Sequence, residues 1–201
     1  MNDNVVYRLF PEPVFKYKLN NFENLNNELS KYIYKLRDED NEGLIKSNKG
    51  GWHSKPFRLG IENTIQQTFA KEIQKNILDV FQKYGWKTEN VPITIQEMWA
   101  IINKNDNFNV LHSHPNCYLS AAYYVRKPKN SGDITFFDPK EAKTYRFPKI
   151  EKYNEYSAET ITIKPEEGDL VIFPSYLYHA VGENLSDENR VVISFNVDID
   201  Y

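Results

Sequence analysis

The chain has 201 residues, a formal net charge of −3 at pH 7 and a mean hydropathy of −0.65. A chain of this length buries a sizeable core without disulfides, and its single cysteine, Cys117, has no internal partner. The balanced charge predicts neither nucleic acid nor an anionic membrane as a partner, and no apolar run approaches the roughly 20 residues of a membrane span. Without a signal-peptide pattern at its start, the sequence predicts a cytoplasmic protein.

The first third of the chain predicts helices. Apolar residues recur at steps of three and four from Asn20 onward and again over residues 62–84, which gives each segment one apolar stripe. Asn20 followed by Glu23 resembles a capping box at the start of the first helix. Gly85 stands at a natural end for the second helix. We therefore expect residues 1–90 to form a helical support region.

After these helices the pattern changes to short β-like runs separated by Pro, Gly and Asn. In the last run, apolar residues alternate with a set that includes Arg190 and Ser194, so the strand has an apolar back and a partly polar front. This alternation is typical of a sandwich or barrel that holds a ligand on one face and packs helices on the other. We expect one domain, residues 1–201, with residues 91–201 as its β core. The predicted strands are 93–103, 118–125, 133–137, 160–164, 169–173 and 190–198.

Three of the four histidines lie in two short segments that suit metal binding. His112 and His114 are two positions apart, so both side chains point to the same face of an extended strand. His179 follows the run 168–174, which predicts a turn and a buried strand leading to the same site. Imidazole binds iron, zinc, copper and nickel, and three protein ligands are typical of a catalytic site. Taken singly, these residues also fit surface or core histidines, and His53 is predicted to be a structural or a loop residue.

Arg190 opens the last predicted strand, eleven residues after His179. An arginine on the inner face of a sheet needs an anion, because a buried unpaired charge is costly, and its planar fork matches a carboxylate. An exposed arginine at a strand start is the alternative for this residue alone. The order of two histidines, a long gap, a third histidine and then an arginine favours a metal site beside a carboxylate site.

With these motifs in this order, the sequence resembles the Fe(II)- and 2-oxoglutarate-dependent oxygenases. The similarity is to the prolyl 4-hydroxylase-like branch and its small bacterial and phage members, and it covers about residues 99–198. The segment HSHPN at 112–116 lies where the family has its HxD motif, and 168–179 resembles the segment that ends in the distal histidine. Residues 190–195 resemble the arginine strand, and Tyr124 lies where the family has a tyrosine that reaches the cosubstrate.

The resemblance implies a mainly β chain with flanking helices: a double-stranded β-helix, or jelly-roll, core with the N-terminal helices packed on one sheet. It implies an Fe(II) cofactor and, with 2-oxoglutarate and O2, hydroxylation of a peptidyl (prolyl-like) residue or a small molecule, releasing succinate and CO2. The far carboxylate of 2-oxoglutarate would pair with Arg190 and accept a hydrogen bond from Tyr124. Ser194 is a further candidate contact, and Asn103 is a candidate at the near carboxylate.

The metal ligands are where the sequence departs from the family. The usual triad has two histidines and one carboxylate, but His114 stands at the carboxylate position. The resemblance then implies His112, His114 and His179 as the ligands, with Asp133 or Asp138 as an alternative third ligand.

Two other classes of function stay open at the sequence level. A three-histidine metal hydrolase or a cupin-like dioxygenase would use the same histidines without 2-oxoglutarate, although a hydrolase leaves Arg190 without a task. A catalytically silent β-sandwich binding protein is the non-enzyme alternative. We expect no nucleic-acid or membrane partner and leave a homodimer open. The predicted location is the bacterial cytoplasm, or the host cytoplasm for a phage protein.

Overall fold

The computed structural model describes residues 5–57, 59–89, 91–140 and 148–200. Within these residues, two helices and eleven strands follow one another along the chain. They are β1 (Phe15–Lys18), α1 (Phe22–Glu39), β2 (Asn48–Lys49), β3 (Trp52–His53), α2 (Ile65–Tyr84), β4 (Ile93–Asn103), β5 (Phe108–His112), β6 (Leu119–Arg126), β7 (Ile134–Phe137), β8 (Thr160–Ile163), β9 (Asp169–Pro174), β10 (His179–Val181) and β11 (Arg190–Ile199).

The strands form two antiparallel sheets that face each other. The six-stranded sheet has the order β1-β9-β6-β11-β4-β3, and the five-stranded sheet has the order β2-β5-β10-β7-β8. Apolar side chains from both sheets pack together in the space between them, for example Val171 and Val192 against Ile134 and Phe136. The predicted β sandwich with flanking helices is confirmed, and the predicted strands match observed ones to within one or two residues at each end.

Both helices pack on the outer face of the six-stranded sheet. Their apolar stripes, represented by Ile33 and Phe69, share one core cluster with Val191 and Ile193 of β11. Complete burial of each such side chain stabilises the fold by roughly 1.5–3 kcal/mol. The predicted alternation of β11 is therefore correct, because the side chains that face the helices are those of its apolar back.

The start of α1 differs from the prediction. The helix begins at Phe22, and Asn21 before it lies in the left-handed region (φ 51°) without a side-chain capping hydrogen bond. A capping box needs an extended N-cap residue whose side chain reaches the first turn, so the predicted box of Asn20 and Glu23 is wrong. The end of α2 agrees with the prediction, since Gly85 adopts φ 68° directly after the helix.

Residues 1–90 contribute strands as well as helices, which the sequence patterns did not predict. β1 pairs with β9 at one edge of the six-stranded sheet. β2 pairs with β5 of one sheet, whereas β3 pairs with β4 of the other. We call residues 43–57, which contain β2 and β3, the strap, because they connect the two sheets. In the part of the chain that the structure describes, neither helix is long and apolar enough to cross a lipid bilayer.

Candidate metal centre

The fold brings His112, His114 and His179 together between the two sheets. His112 ends β5, His179 begins β10, and the two are direct cross-strand partners. His114 lies two residues beyond β5, where its backbone N–H donates to the Ser175 carbonyl at 2.9 Å. The potential ligand nitrogens of the three histidines all lie within 4.8 Å of one another. This spacing suits one metal ion that all three rings contact.

Hydrogen bonds to backbone carbonyls hold two of the three rings, those of His112 and His179, in a defined orientation. His112 Nδ1 lies 2.7 Å from the Val110 carbonyl oxygen, and His179 Nδ1 lies 3.0 Å from that of Leu177. Because a carbonyl only accepts, Nδ1 carries the proton in both rings and Nε2 presents its lone pair. Such partners on the second nitrogen are typical of metal-binding histidines.

The three histidines are in the neutral imidazole form at pH 7. Burial lowers the pKa of His114 to about 4 and that of His179 to about 3, and the charge of the neighbouring His112 adds to both effects. Burial also lowers the pKa of His112. Neutral imidazole is the form that binds a metal. The cluster therefore offers Fe(II) three unprotonated nitrogen ligands, which fit this borderline metal.

No carboxylate joins this cluster among the residues that the structure describes. Asp133, one alternative third ligand, lies 3.1 Å from the Lys127 ammonium group in an ion pair. Asp138, the other alternative, accepts from the Lys140 backbone N–H at 3.0 Å. The geometry thus brings His114, and neither aspartate, to the position beside the other two histidines.

Arg190 is a buried cation whose described hydrogen-bond partners are neutral. Its side chain is 1% exposed and donates to backbone carbonyls of the loops that enclose it. Those carbonyls belong to Ser131, Gly132 and Gly182, the last at 2.9 Å. Burial lowers its pKa to about 10, so the guanidinium stays charged at pH 7. Within the described ranges, no carboxylate forms an ion pair with it, and this arrangement fits a carboxylate ligand.

The other three predicted cosubstrate contacts line one cavity together with Arg190. Burial raises the pKa of Tyr124, and the charge of Arg190 acts on it in the opposite direction, so the hydroxyl is a protonated neighbour of the guanidinium. Ser194 lies on the same face of β11 as Arg190. The amide oxygen of Asn103 accepts from Arg190 Nη2 at 3.3 Å, in the amide orientation that satisfies both its oxygen and its nitrogen. Asn103 therefore lies beside the guanidinium, and its contact with the near carboxylate stays a prediction.

One cavity of about 650 Å³ connects these groups. Its volume lies in the range of small-molecule sites. The histidine cluster and Arg190 both line it, and the strap and β4 form a further part of the wall. That part includes Leu44, Lys46, Ser47, His53, Pro56, Glu97 and Trp99.

The same residues carry the match to a known family. Residues 97–196, about half of the chain, match the family model described as "Putative 2OG-Fe(II) oxygenase". The matched range contains all three clustered histidines and Arg190. The chain belongs to the 2OG-Fe(II) oxygenases. It is thus an enzyme of the Fe(II)- and 2-oxoglutarate-dependent class, as the sequence motifs predicted.

Solved structures of such oxygenases share the fold of this one. A prolyl-4-hydroxylase from Pseudomonas putida is 14% identical, with a TM-score of 0.64 over 93% of this chain and 92% of that one. HygX from Streptomyces hygroscopicus, crystallised with nickel, 2-oxoglutarate and hygromycin B, is 11% identical, with a TM-score of 0.63 over 93% and 83%. A Trichoplax adhaerens prolyl hydroxylase in complex with a hypoxia inducible factor peptide is 13% identical, with a TM-score of 0.61 over 92% and 83%.

At these identities the likeness shows the fold, which confirms the predicted jelly-roll core of this oxygenase. The comparison with curated proteins found no match.

Two residues at the centre of the oxygenase were not among the predicted site residues. The Asn196 side chain contacts the His114 ring and accepts from Ser120 Oγ at 2.9 Å. Trp99 stacks on His114 with 5.8 Å between ring centroids, and its buried Nε1–H has no partner in the described structure. The alternation of β4 and β11 places both on the cavity face, but only the fold brings them to His114.

Replacing Asn196 with alanine is expected to weaken metal binding about tenfold to 100-fold, the usual effect of losing an outer partner of a ligand. His114 would lose the contact that orients its ring. Titration with Co(II), followed by its visible absorption, measures this affinity. Asn105→Ala, at an exposed asparagine outside the cavity, is the matched control, and equal Co(II) affinities of the two variants would contradict the prediction.

Acidification from about pH 6.5 to pH 5 is expected to destabilise the metal-free oxygenase. The folded state holds the pKa of the three clustered histidines below 6.5, whereas the unfolded chain binds protons as the pH falls through that value. The free energy of unfolding therefore falls with pH, by up to about 1.4 kcal/mol per pH unit for each histidine. Urea unfolding across this range measures the slope, which should be shallower in His179→Gln. Identical slopes in the wild type and in His179→Gln would exclude protonation of His179 as a cause of the destabilisation.

Proposed function

We propose that this oxygenase binds Fe(II) through His112, His114 and His179 and the far carboxylate of 2-oxoglutarate through Arg190. The observation that carries the proposal is that a cluster of neutral histidines lines one cavity together with a buried arginine that has no carboxylate partner among the described residues. When bound, Fe(II) and 2-oxoglutarate supply O2 activation and C–H oxidation, with succinate and CO2 as products of the cosubstrate.

In this proposal the protein's own groups bind the metal and the cosubstrate and orient them. The carbonyls of Val110 and Leu177 hold His112 and His179 with Nε2 free. Arg190 holds the carboxylate by charge-assisted hydrogen bonds, and the adjacent Tyr124 hydroxyl is a further donor. Ser194 and Asn103 line the cavity near Arg190. Asn103 accepts a hydrogen bond from the guanidinium and so fixes its orientation. Apolar side chains such as Phe173 line the same cavity and exclude water.

The three-histidine set changes the charge of the proposed centre. Three neutral imidazoles leave the full double charge on the metal, whereas a carboxylate ligand would offset part of it. A bound cation is the largest local charge in such a site. We therefore expect tighter binding of the anionic cosubstrate than in a two-histidine, one-carboxylate site.

The proposed substrate is a peptidyl, prolyl-like residue or a small molecule. Both classes occur among the structural neighbours, which include prolyl hydroxylases and an enzyme crystallised with hygromycin B. We also propose that residues 1–201 work as one domain, because the strap belongs to both sheets. The cytoplasmic location and the homodimer stay predictions.

The test is an anaerobic titration of the metal-free protein with Fe(II) and 2-oxoglutarate. We expect a weak visible metal-to-ligand charge-transfer band and, after O2 is admitted, succinate. A fully iron-loaded protein with neither band nor succinate would exclude the proposal. Tight zinc binding with ester hydrolysis would instead favour the metal hydrolase.

Substitution of His114 tests the third ligand directly. We expect His114→Ala to weaken Fe(II) binding by more than about tenfold, because the ligand itself is lost. His114→Asp restores the usual carboxylate and should keep Fe(II) affinity within about tenfold of wild type. Calorimetric titration with Fe(II) under anaerobic conditions measures both values. Wild-type affinity in His114→Ala would show that His114 is not a ligand.

A further inference from the structure

The fourth histidine lies on the same cavity as the other three, although it does not belong to their cluster. His53 is contributed by the strap, is 7% exposed and lines the cavity wall beside Trp99. Its Nδ1 lies 2.7 Å from the Ser54 carbonyl oxygen, so Nδ1 carries the proton. Nε2 then has a free lone pair, and no donor to it occurs in the described part of the chain. His53 thus places a hydrogen-bond acceptor in this wall.

Two opposite charges flank His53 on the same wall. Lys46 belongs to the strap and Glu97 to β4, and both side chains line the cavity. Each lies close enough to act electrostatically on the His53 ring, in opposite directions. Neither takes part in an ion pair among the described residues, so the two charges do not neutralise each other by direct contact. Both are solvent-exposed, which places them at the open part of the cavity.

From this arrangement we propose that the strap and β4 bind the head group of a free α-amino acid. The substrate ammonium group donates to the Glu97 carboxylate and to His53 Nε2, and its carboxylate pairs with the Lys46 ammonium group. An internal residue of a peptide carries neither charge on its backbone. The inference rests on the proposed function and selects the small-molecule alternative for the substrate.

Trp99 determines which amino acids fit. Its ring lies between His53 and His114, with centroid distances of 5.6 Å and 5.8 Å and interplanar angles of 11° and 21°. A substrate held at His53 must therefore extend its side chain past the indole before a C–H bond reaches the histidine cluster. This favours long side chains and oxidation of a carbon remote from the α-carbon.

The test uses the protein loaded with Zn(II) and 2-oxoglutarate. In this form the protein can bind an amino acid without oxidising it. Saturation-transfer NMR is measured with each of the twenty common L-amino acids and with their N-acetylated, C-amidated forms. We expect a signal from at least one free amino acid with a long side chain and none from its blocked form. Binding of blocked forms only, or of no amino acid, would overturn the inference.

Reversing the charge of Glu97 or of Lys46 tests whether these two groups form the amino-acid subsite. Glu97→Lys and Lys46→Glu should each weaken binding of the responding amino acid at least tenfold. Both positions are exposed, so these changes are compatible with folding. Glu89→Lys and Lys75→Glu, at exposed positions outside the cavity and the strap, are the matched controls and should bind as wild type. Equal affinity in the reversed and control variants would overturn the assignment.

The charge-transfer band with Fe(II) and 2-oxoglutarate separates the two proposals. An intact band in Glu97→Lys together with lost amino-acid binding supports the subsite. An intact wild-type band without any amino-acid binding overturns the subsite alone. A wild type without the band overturns the proposed function, whatever the amino acids do.

Discussion

Replacing His179 with alanine is expected to lower Fe(II) affinity at least about 100-fold and to abolish succinate formation. Loss of an outer partner of a metal ligand already costs 10- to 100-fold, and this variant loses one of the three proposed ligands itself. His179 is the direct cross-strand partner of His112 and the most deeply buried of the three clustered rings, so no other described side chain is placed to replace it. Anaerobic calorimetry with Fe(II) and a succinate assay measure the two effects.

The matched control is His53→Ala, which removes the one histidine outside the cluster. His53 is also buried and stacks on the same tryptophan that stacks on His114, so the two variants remove similar volumes next to the cavity. Fe(II) affinity should stay at the wild-type value in this control. If His179→Ala, shown by circular dichroism to be folded, still binds Fe(II) as wild type does, the histidine cluster is not the metal site.

Replacing Arg190 with alanine is expected to raise the dissociation constant of 2-oxoglutarate at least about 30-fold while Fe(II) still binds. Truncating one partner of a buried charge pair costs roughly 2–5 kcal/mol, and each 1.4 kcal/mol is a factor of ten. Arg190→Lys should lie between alanine and wild type, because lysine keeps the charge and loses the two-pronged geometry. Titration of the charge-transfer band with 2-oxoglutarate gives all three constants.

Arg126→Ala is the control for this experiment. Arg126 ends β6 next to β11, its side chain is half-exposed, and it is not part of the cavity wall. Its removal should leave 2-oxoglutarate affinity unchanged. A dissociation constant in Arg190→Ala within threefold of the control would mean that the cosubstrate binds elsewhere.

The long strands were predictable from the sequence because they carry enough residues to show a period of two. β4 matches its prediction at both ends, and β11 extends one residue further than predicted. The five strands that were not predicted have two to five residues each, and their backbones pair with neighbours that are remote in sequence. A run of two residues such as β2 has no periodicity, so its strand conformation depends on the partner strand.

The candidate site was predictable where spacing along one segment determines position. His112 and His114 share a segment, and Arg190 stands on a strand with a clear inner face. Asn196 and Trp99 were not identified because their importance depends on contact with His114, which only the packed sheets bring about. The aspartate alternative was undecidable in the sequence, since the ion pair of Asp133 with Lys127 depends on tertiary structure.

The strap and β11 form different parts of the cavity wall, and the two parts differ in local stability. The strap's strands β2 and β3 have two residues each, whereas β11, which carries Arg190, is paired along both edges. Local opening takes the least free energy where few backbone hydrogen bonds and few buried contacts must break. Amide hydrogens of the strap should therefore exchange well before those of β11. The strap, residues 43–57, can accordingly change in sequence and local structure while β11, the strand that carries Arg190, stays as it is.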